Sequence, residues 1–127
     1  MAESKHQRFH LKSPDQLRAE IERLGLEMPI DEDVSVLGSP LAIAGKQMPN
    51  RFSVQPMEGF DAHPDGSPGE LSFRRYRRYA SGGFGLIWFE ATAVMEEARS
   101  NPGQLWLHAE NVGVFRELVE STRKAAQ

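Results

Sequence analysis

Three carboxylates stand where acid–base chemistry is possible: Glu58, Asp61 and Glu90. The stretch VQPMEGFDA, residues 54–62, ends an apolar run and turns polar at once. A strand that stops at Pro56-Met57 places Glu58 at its end, and strand ends are where ligands bind in α/β folds. A positioned Glu or Asp there can act as a general acid or base. Glu90 also suits hydrogen bonding to neighbouring loops. His63, beside Pro64 in a loop rich in Gly, Pro and Asp, is expected in solvent, within reach of a ligand over those strand ends. His6 and His10 are four apart and would share a helical face, but no third ligand accompanies them, so no metal site is expected. Gly82, Gly83 and Gly85 precede a strand rather than joining strand to helix, so they do not form a dinucleotide fingerprint. FRRYRRY, residues 73–79, interleaves basic and aromatic residues as nucleic-acid binders do. It equally suits a surface helix with Tyr76 and Tyr79 turned inward and arginine stems lying over apolar surface.

Composition narrows these options. The chain has 127 residues, with 15 Lys and Arg against 18 Asp and Glu, a formal charge of −3. That length suits one domain rather than two, and that charge calls for neither nucleic acid nor an anionic membrane. Cysteine is absent, which excludes disulfides, thiolate metal ligands and a Cys nucleophile within these residues. The polar start, MAESKHQRFHLKSPDQ, has no apolar core of signal-peptide length, and a cytoplasmic location is expected.

The elements that must position the candidate residues are legible in outline. SPDQLRAEIERLGLEMP predicts a helix: Ser13 caps it, Pro14 suits its first position and Gln16 completes a capping box. Leu17, Ile21 and Leu24 share one face. Gly25 ends it and Pro29 prevents continuation. This amphipathic helix is expected to pack on a larger body. After the acidic DEDV link, SPLAIAGKQMPNRFSVQPM predicts two short strands around a turn at Gly45-Lys46, the second being Arg51–Gln55. A loop over 61–70 leads to a helix with Phe73, Tyr76, Arg77 and Ala80 on one face, ended by Gly82-Gly83. Leu86, Ile87, Trp88 and Phe89 run apolar without alternation, as in a strand buried on both faces of a parallel sheet. A second loop reaches a last helix lined by Val112, Phe115, Leu118, Val119 and Thr122.

Strand, loop, helix, strand, loop, helix predicts a right-handed βαβ crossover and an α/β fold. Two parallel strands cannot cover both faces of a sheet, and each large side chain left wet forgoes about 1.5–3 kcal/mol. An eight-stranded barrel takes ~250 residues. The chain therefore reads as the start of a (β/α)₈ barrel, its first two βα units, with residues 1–36 as a tail and helical extension and 37–127 as the incomplete barrel.

From residue 37 onward the motifs resemble the old yellow enzyme family, the FMN-dependent NADH:flavin oxidoreductases. A hairpin leads into Asn50-Arg51, and the first strand ends in Pro56-Met57. Asp65-Gly66-Ser67-Pro68 precedes a helix with Tyr76 and Arg78. Gly82-Gly83-Phe84-Gly85-Leu86-Ile87 enters a strand closing on Glu90-Ala91-Thr92, and Ala98-Arg99-Ser100-Asn101-Pro102-Gly103 follows. The resemblance implies a barrel with FMN at the carboxyl ends of its strands, reduced by NADH or NADPH and passing hydride to a small-molecule acceptor such as an activated C=C bond. It implies that Pro56, Met57, the residue after them and Ala91 lie along the flavin, with Phe60 near the substrate. Glu58 departs from the pattern, which usually has threonine or cysteine there.

The family's catalytic residues come from later strands and are expected beyond Gln127. These residues alone are therefore expected neither to hold FMN tightly nor to turn over. The remainder of the barrel, or further copies of the chain, would complete it. Dihydrouridine synthases, FMN barrels acting on tRNA, also begin with a strand ending in Pro-Met and an arginine-rich helix. DGSPGEL and EATAV favour the old yellow enzyme family. A non-catalytic fragment or partner-binding protein is the remaining alternative.

Overall fold

Helix starts at Ser13 because its extended backbone (φ −146°) and its Oγ, which accepts from the Gln16 N–H at 3.3 Å, satisfy one free donor of the first turn. The computed structural model describes residues 10–126. His6, half of the histidine pair, and Gln127, the bound beyond which catalytic residues are expected, both lie outside the described residues. Helix α1 is Pro14–Leu24. The Gln16 side chain reaches back one residue further than a capping box predicts and accepts from the Lys12 N–H at 2.8 Å. Gly25 closes the helix at φ +63°, and the Leu26 N–H donates to Ile21 O. No residue of α1 is buried; Leu17 and Ile21 are half-covered. The described residues divide into two compact units, one ending at Val34 and one starting at Ser35.

The second unit opens with an antiparallel hairpin, β1 (Leu41–Ile43) against β2 (Lys46–Met48). Its turn is Ala44-Gly45, both left-handed (φ +47° and +77°), so Lys46 begins a strand rather than completing the turn. The predicted strand over Arg51–Gln55 is not the hairpin's second arm. Only Ser53–Val54 (β3) is strand there, and it pairs in parallel with Leu86–Ile87 (β4). The Leu86 N–H donates to Phe52 O and the Trp88 N–H to Val54 O. Asn50 locks the entry to this pair. Its Nδ2 donates to Gly83 O (2.7 Å), and its Oδ1 accepts from the N–H groups of Gly85 (2.9 Å) and Phe52 (3.1 Å). Gly85 has no room for a side chain, since a Cβ there would lie 2.3 Å from Asn50 O.

Helix α2 (Glu70–Ser81) crosses between the two strands, and α3 (Val112–Ala125) packs against it. The inner face of α2 is Ser72, Tyr76 and Ala80, spaced i, i+4, i+8; Arg77, expected on that face, is exposed. From α3, Phe115 and Leu118 are buried, whereas Val112 and Val119 face outward. The Tyr76 ring stacks on Phe89 with centroids 4.3 Å apart.

The run 86–89 is not buried on both faces. Leu86 and Ile87 are half-covered and Trp88 is 62% exposed. β3 is β4's sole neighbour within its sheet, so no strand covers the other edge, and no barrel closes among the described residues. No described helix is long and apolar enough to cross a membrane.

Candidate functional site

Both strand-end loops are pinned from below by one ionic cluster. Asp61 follows β3, Glu90 follows β4, and Arg75 of α2 sits between them. The Arg75 guanidinium donates to Asp61 Oδ2 (2.5 Å), Asp61 Oδ1 (3.1 Å) and Glu90 Oε1 (2.8 Å). Ser72 Oγ donates to Asp61 Oδ1 at 2.7 Å, and the Tyr76 hydroxyl donates to Glu90 Oε1 at 3.1 Å. The same hydroxyl accepts from the Glu90 N–H at 2.9 Å. Glu90 is buried, and its other oxygen accepts from the Gly59 N–H at 2.8 Å. It thus ties the β4 loop to the β3 loop, the loop-bonding role the sequence allowed it. A Cβ on Gly59 would fall 2.2 Å from Arg75 Nη2, so only glycine lets the guanidinium lie this close to the backbone.

This arrangement sets proton affinities. Arg75 hydrogen-bonded to Asp61 holds the Asp61 carboxyl below its usual range. Asp61 in turn raises the affinity of Arg75 for its proton, and burial pushes the Tyr76 phenol up. Asp61 therefore contributes stability that is present above its unfolded value, near 3.8, and lost as pH falls through the lower folded value. Urea midpoints measured from pH 5 down to pH 2, about the window this shift opens, are expected to fall less steeply in Asp61→Asn than in the unaltered protein. Parallel curves would show that Asp61 makes no such contribution.

Above the cluster, the segment 56–60 is open to solvent. Met57 is 75% exposed and Phe60 is 60% exposed. Phe60 has φ +52°, a left-handed backbone that costs an aromatic residue about 1–3 kcal/mol. It is held by its neighbours: Gly59 by Glu90, Asp61 by Arg75, and Ala62, whose N–H donates to Gly103 O at 3.0 Å. Gly103 packs against this backbone; a Cβ there would lie 2.5 Å from Phe60 O.

Glu58 and Ala91 are joined by a residue that sequence reading missed. Gln104 Nε2 donates to Glu58 Oε1 (3.2 Å) and to Ala91 O (3.4 Å), and Ser100 Oγ donates to Glu58 Oε2 (3.2 Å). Arg99 shapes the loop that carries them, donating to the carbonyls of Pro64, Pro102 and Gln104.

The structure thus brings Glu58 and Ala91 together at the carboxyl ends of parallel strands, with Pro56 and Met57 leading into Glu58. Phe60 sits on the same loop. The exposed apolar Met57 and Phe60, beside a carboxylate, fit one wall of a site for a planar aromatic ring. His63 is exposed to solvent; its N–H donates to Ser67 O and its carbonyl accepts from the Gly66 N–H. Of FRRYRRY, Tyr76 is buried and Tyr79 half-buried, Arg75 is spent on the ionic cluster, and Arg74, Arg77 and Arg78 are exposed. No group of three potential metal ligands occurs among the described residues. The one signal for Arg75 and Gln104 was indirect: a carboxylate after each strand needs a buried donor, and α2 is rich in arginine.

No protein-family model matches the chain. Solved structures do resemble it. Morphinone reductase is 27% identical with a TM-score of 0.63, over 70% of this chain and 23% of that one. Morphinone reductase in complex with tetrahydroNAD gives 26% and 0.62, over 70% and 24%. An old yellow enzyme from a Pichia species is 19% identical with a TM-score of 0.66, over 72% of this chain and 24% of that one, a likeness of fold alone. The chain thus spans 23–24% of the length of these structures. The resemblance read from Pro56-Met57, the DGSP loop and GGFGLI is borne out: this chain matches the old yellow enzyme family over part of that family's length.

Proposed function

We propose that this chain is a portion of an NAD(P)H-dependent FMN oxidoreductase built on a (β/α)₈ barrel. The observation that carries the reading is the match to morphinone reductase at 27% identity and TM-score 0.63, combined with wet apolar side chains at the carboxyl ends of β3 and β4. Bound FMN would supply the hydride chemistry, taking hydride from NADH or NADPH and giving it to an acceptor such as an activated C=C bond.

The residues of this chain would form one wall. Pro56 and Met57 lie along the ring, with the Met57 side chain covering apolar ring surface that is otherwise wet. Glu58 would present its carboxyl group to the polar edge of the ring. Ala91, too small to crowd the ring, lets the β4 loop approach it. Phe60, aromatic and fixed in its backbone, offers packing surface to the substrate. The ionic cluster of Arg75, Asp61 and Glu90 keeps the two loops at a set spacing, which orientation-dependent hydride transfer requires. The rest of the barrel would supply the phosphate site and the substrate-polarising residues.

The test is a titration of the purified protein with FMN, followed by addition of NADH and, separately, NADPH under anaerobic conditions. Tight binding with loss of the oxidised flavin bands on adding either nicotinamide is expected of the protein at its full length. Binding with no reduction by either donor would reject the oxidoreductase reading while leaving a flavin-binding role.

A further inference from the structure

We infer that Gln104 is the positioning residue for Glu58, fixing where that carboxylate stands relative to a ligand at the strand ends. The inference rests on the flavin reading for its functional consequence, but its geometry does not. Gln104 is 7% exposed. Its Oε1 accepts from the Ser100 N–H at 2.6 Å. A backbone N–H can only donate, so this contact fixes which end of the carboxamide is oxygen, and the NH₂ must point to the other side. Its two hydrogens then have two acceptors, Glu58 Oε1 and Ala91 O. Ser100 Oγ takes the second Glu58 oxygen, so both carboxylate oxygens are held from the 99–104 loop.

The backbone of Gln104 is fixed as well: its N–H donates to Asn101 O and its O accepts from Arg99 Nη2. An acceptor–donor–donor side chain in this orientation, buried between the two loops, suits one task. It sets the distance between the Glu58 carboxylate and the Ala91 backbone, the two groups that would flank a ring bound at the strand ends. Neither leucine nor glutamate at position 104 can do this. Leucine donates nothing, and a glutamate would turn an acceptor toward a carboxylate and a carbonyl.

Two readouts test the inference on the full-length protein. The first needs no flavin. Hydrogen exchange of the Gln104 side-chain NH₂, followed by NMR, is expected to speed up about threefold or more in Glu58→Ala, the loss of one hydrogen bond. Unchanged exchange overturns the coupling whatever the protein binds. The second uses the FMN-loaded protein. The flavin midpoint potential is expected to shift in Glu58→Gln and in Gln104→Leu, and Gln104→Leu added to Glu58→Gln is expected to shift it no further. Ser100→Ala, a milder change, is expected to give a smaller shift of the same sense as Gln104→Leu. Equal Gln104→Leu shifts in both backgrounds would mean Gln104 acts without Glu58, and the inference falls. A potential unmoved by Glu58→Gln, with the exchange result intact, would instead remove Glu58 from the flavin site and take the functional half of the inference with it.

Discussion

Replacing Arg75 with alanine is expected to destabilise the protein by about 3–5 kcal/mol. The reason is what the substitution leaves behind. Arg75 is the only cation bonded to either Asp61 or Glu90 among the described residues, and the Glu90 side chain is 3% exposed. Removing the guanidinium leaves a carboxylate in a dry site, with only the Tyr76 hydroxyl and the Gly59 N–H as donors. Asp61 keeps Ser72 and is a little wetter, at 13%. That places the expected loss toward the lower end of the range. The control is the pair itself: Arg75→Ala with Asp61→Asn is expected to recover part of the loss, because the two sites share one network and their effects do not add. Urea unfolding with an unchanged slope measures both. A loss under about 1 kcal/mol would class the cluster with exposed ion pairs and remove its role in holding the loops.

Leu118→Ala is expected to cost about 2–5 kcal/mol. Leu118 is fully buried, on the face of α3 that packs on α2, next to Phe115. Truncation removes apolar burial and leaves a cavity between the two packed helices. The companion substitution is Val119→Ala, one residue along and 36% exposed. Val119 lines an apolar groove with Phe89, Leu107 and Val112 on the outer side of α3. If that groove is open in the protein as it exists, Val119→Ala should cost less than about 1 kcal/mol. A Val119 loss matching that of Leu118 would show that the outer face of α3 is covered by further protein. A Leu118 loss under about 1 kcal/mol would contradict the packing of α3 on α2.

Local chemistry was readable and long-range chemistry was not. The stop at Gly25 and the cap at Ser13 follow from neighbours within a few positions, so the sequence contained them. The hairpin was read with its second arm too late. Gly45 was credited with the turn together with Lys46, whereas the left-handed pair is Ala44-Gly45, and an alanine gives no warning of a positive φ. The run Leu86–Phe89 was read as a strand buried on both faces. Its apolar character is real, but burial depends on which strand lies alongside, and β3 is the sole partner of β4 in this sheet.

The candidate site divides the same way. The residues at the strand ends, Pro56, Met57, Glu58, Phe60 and Ala91, were found from the sequence because a strand's end is a local feature and the motif order resembled a family. What holds them was invisible. Asp61 and Arg75 are 14 positions apart, and Glu58 and Gln104 are 46 apart. No periodicity or cap links such pairs. They meet because the crossover through α2 carries Arg75 under both strand ends and the return through residues 95–111 carries Gln104 over them. The sequence by itself determined the three helices and the cap and stop of α1, since these are set by chemistry between near neighbours, and the strand–helix–strand order implied a parallel pair through the crossover rule. Only the tertiary structure decided that one half-buried arginine and one buried glutamine set the spacing of the loops, because those contacts exist only once chain closure has brought distant donors to the carboxylates.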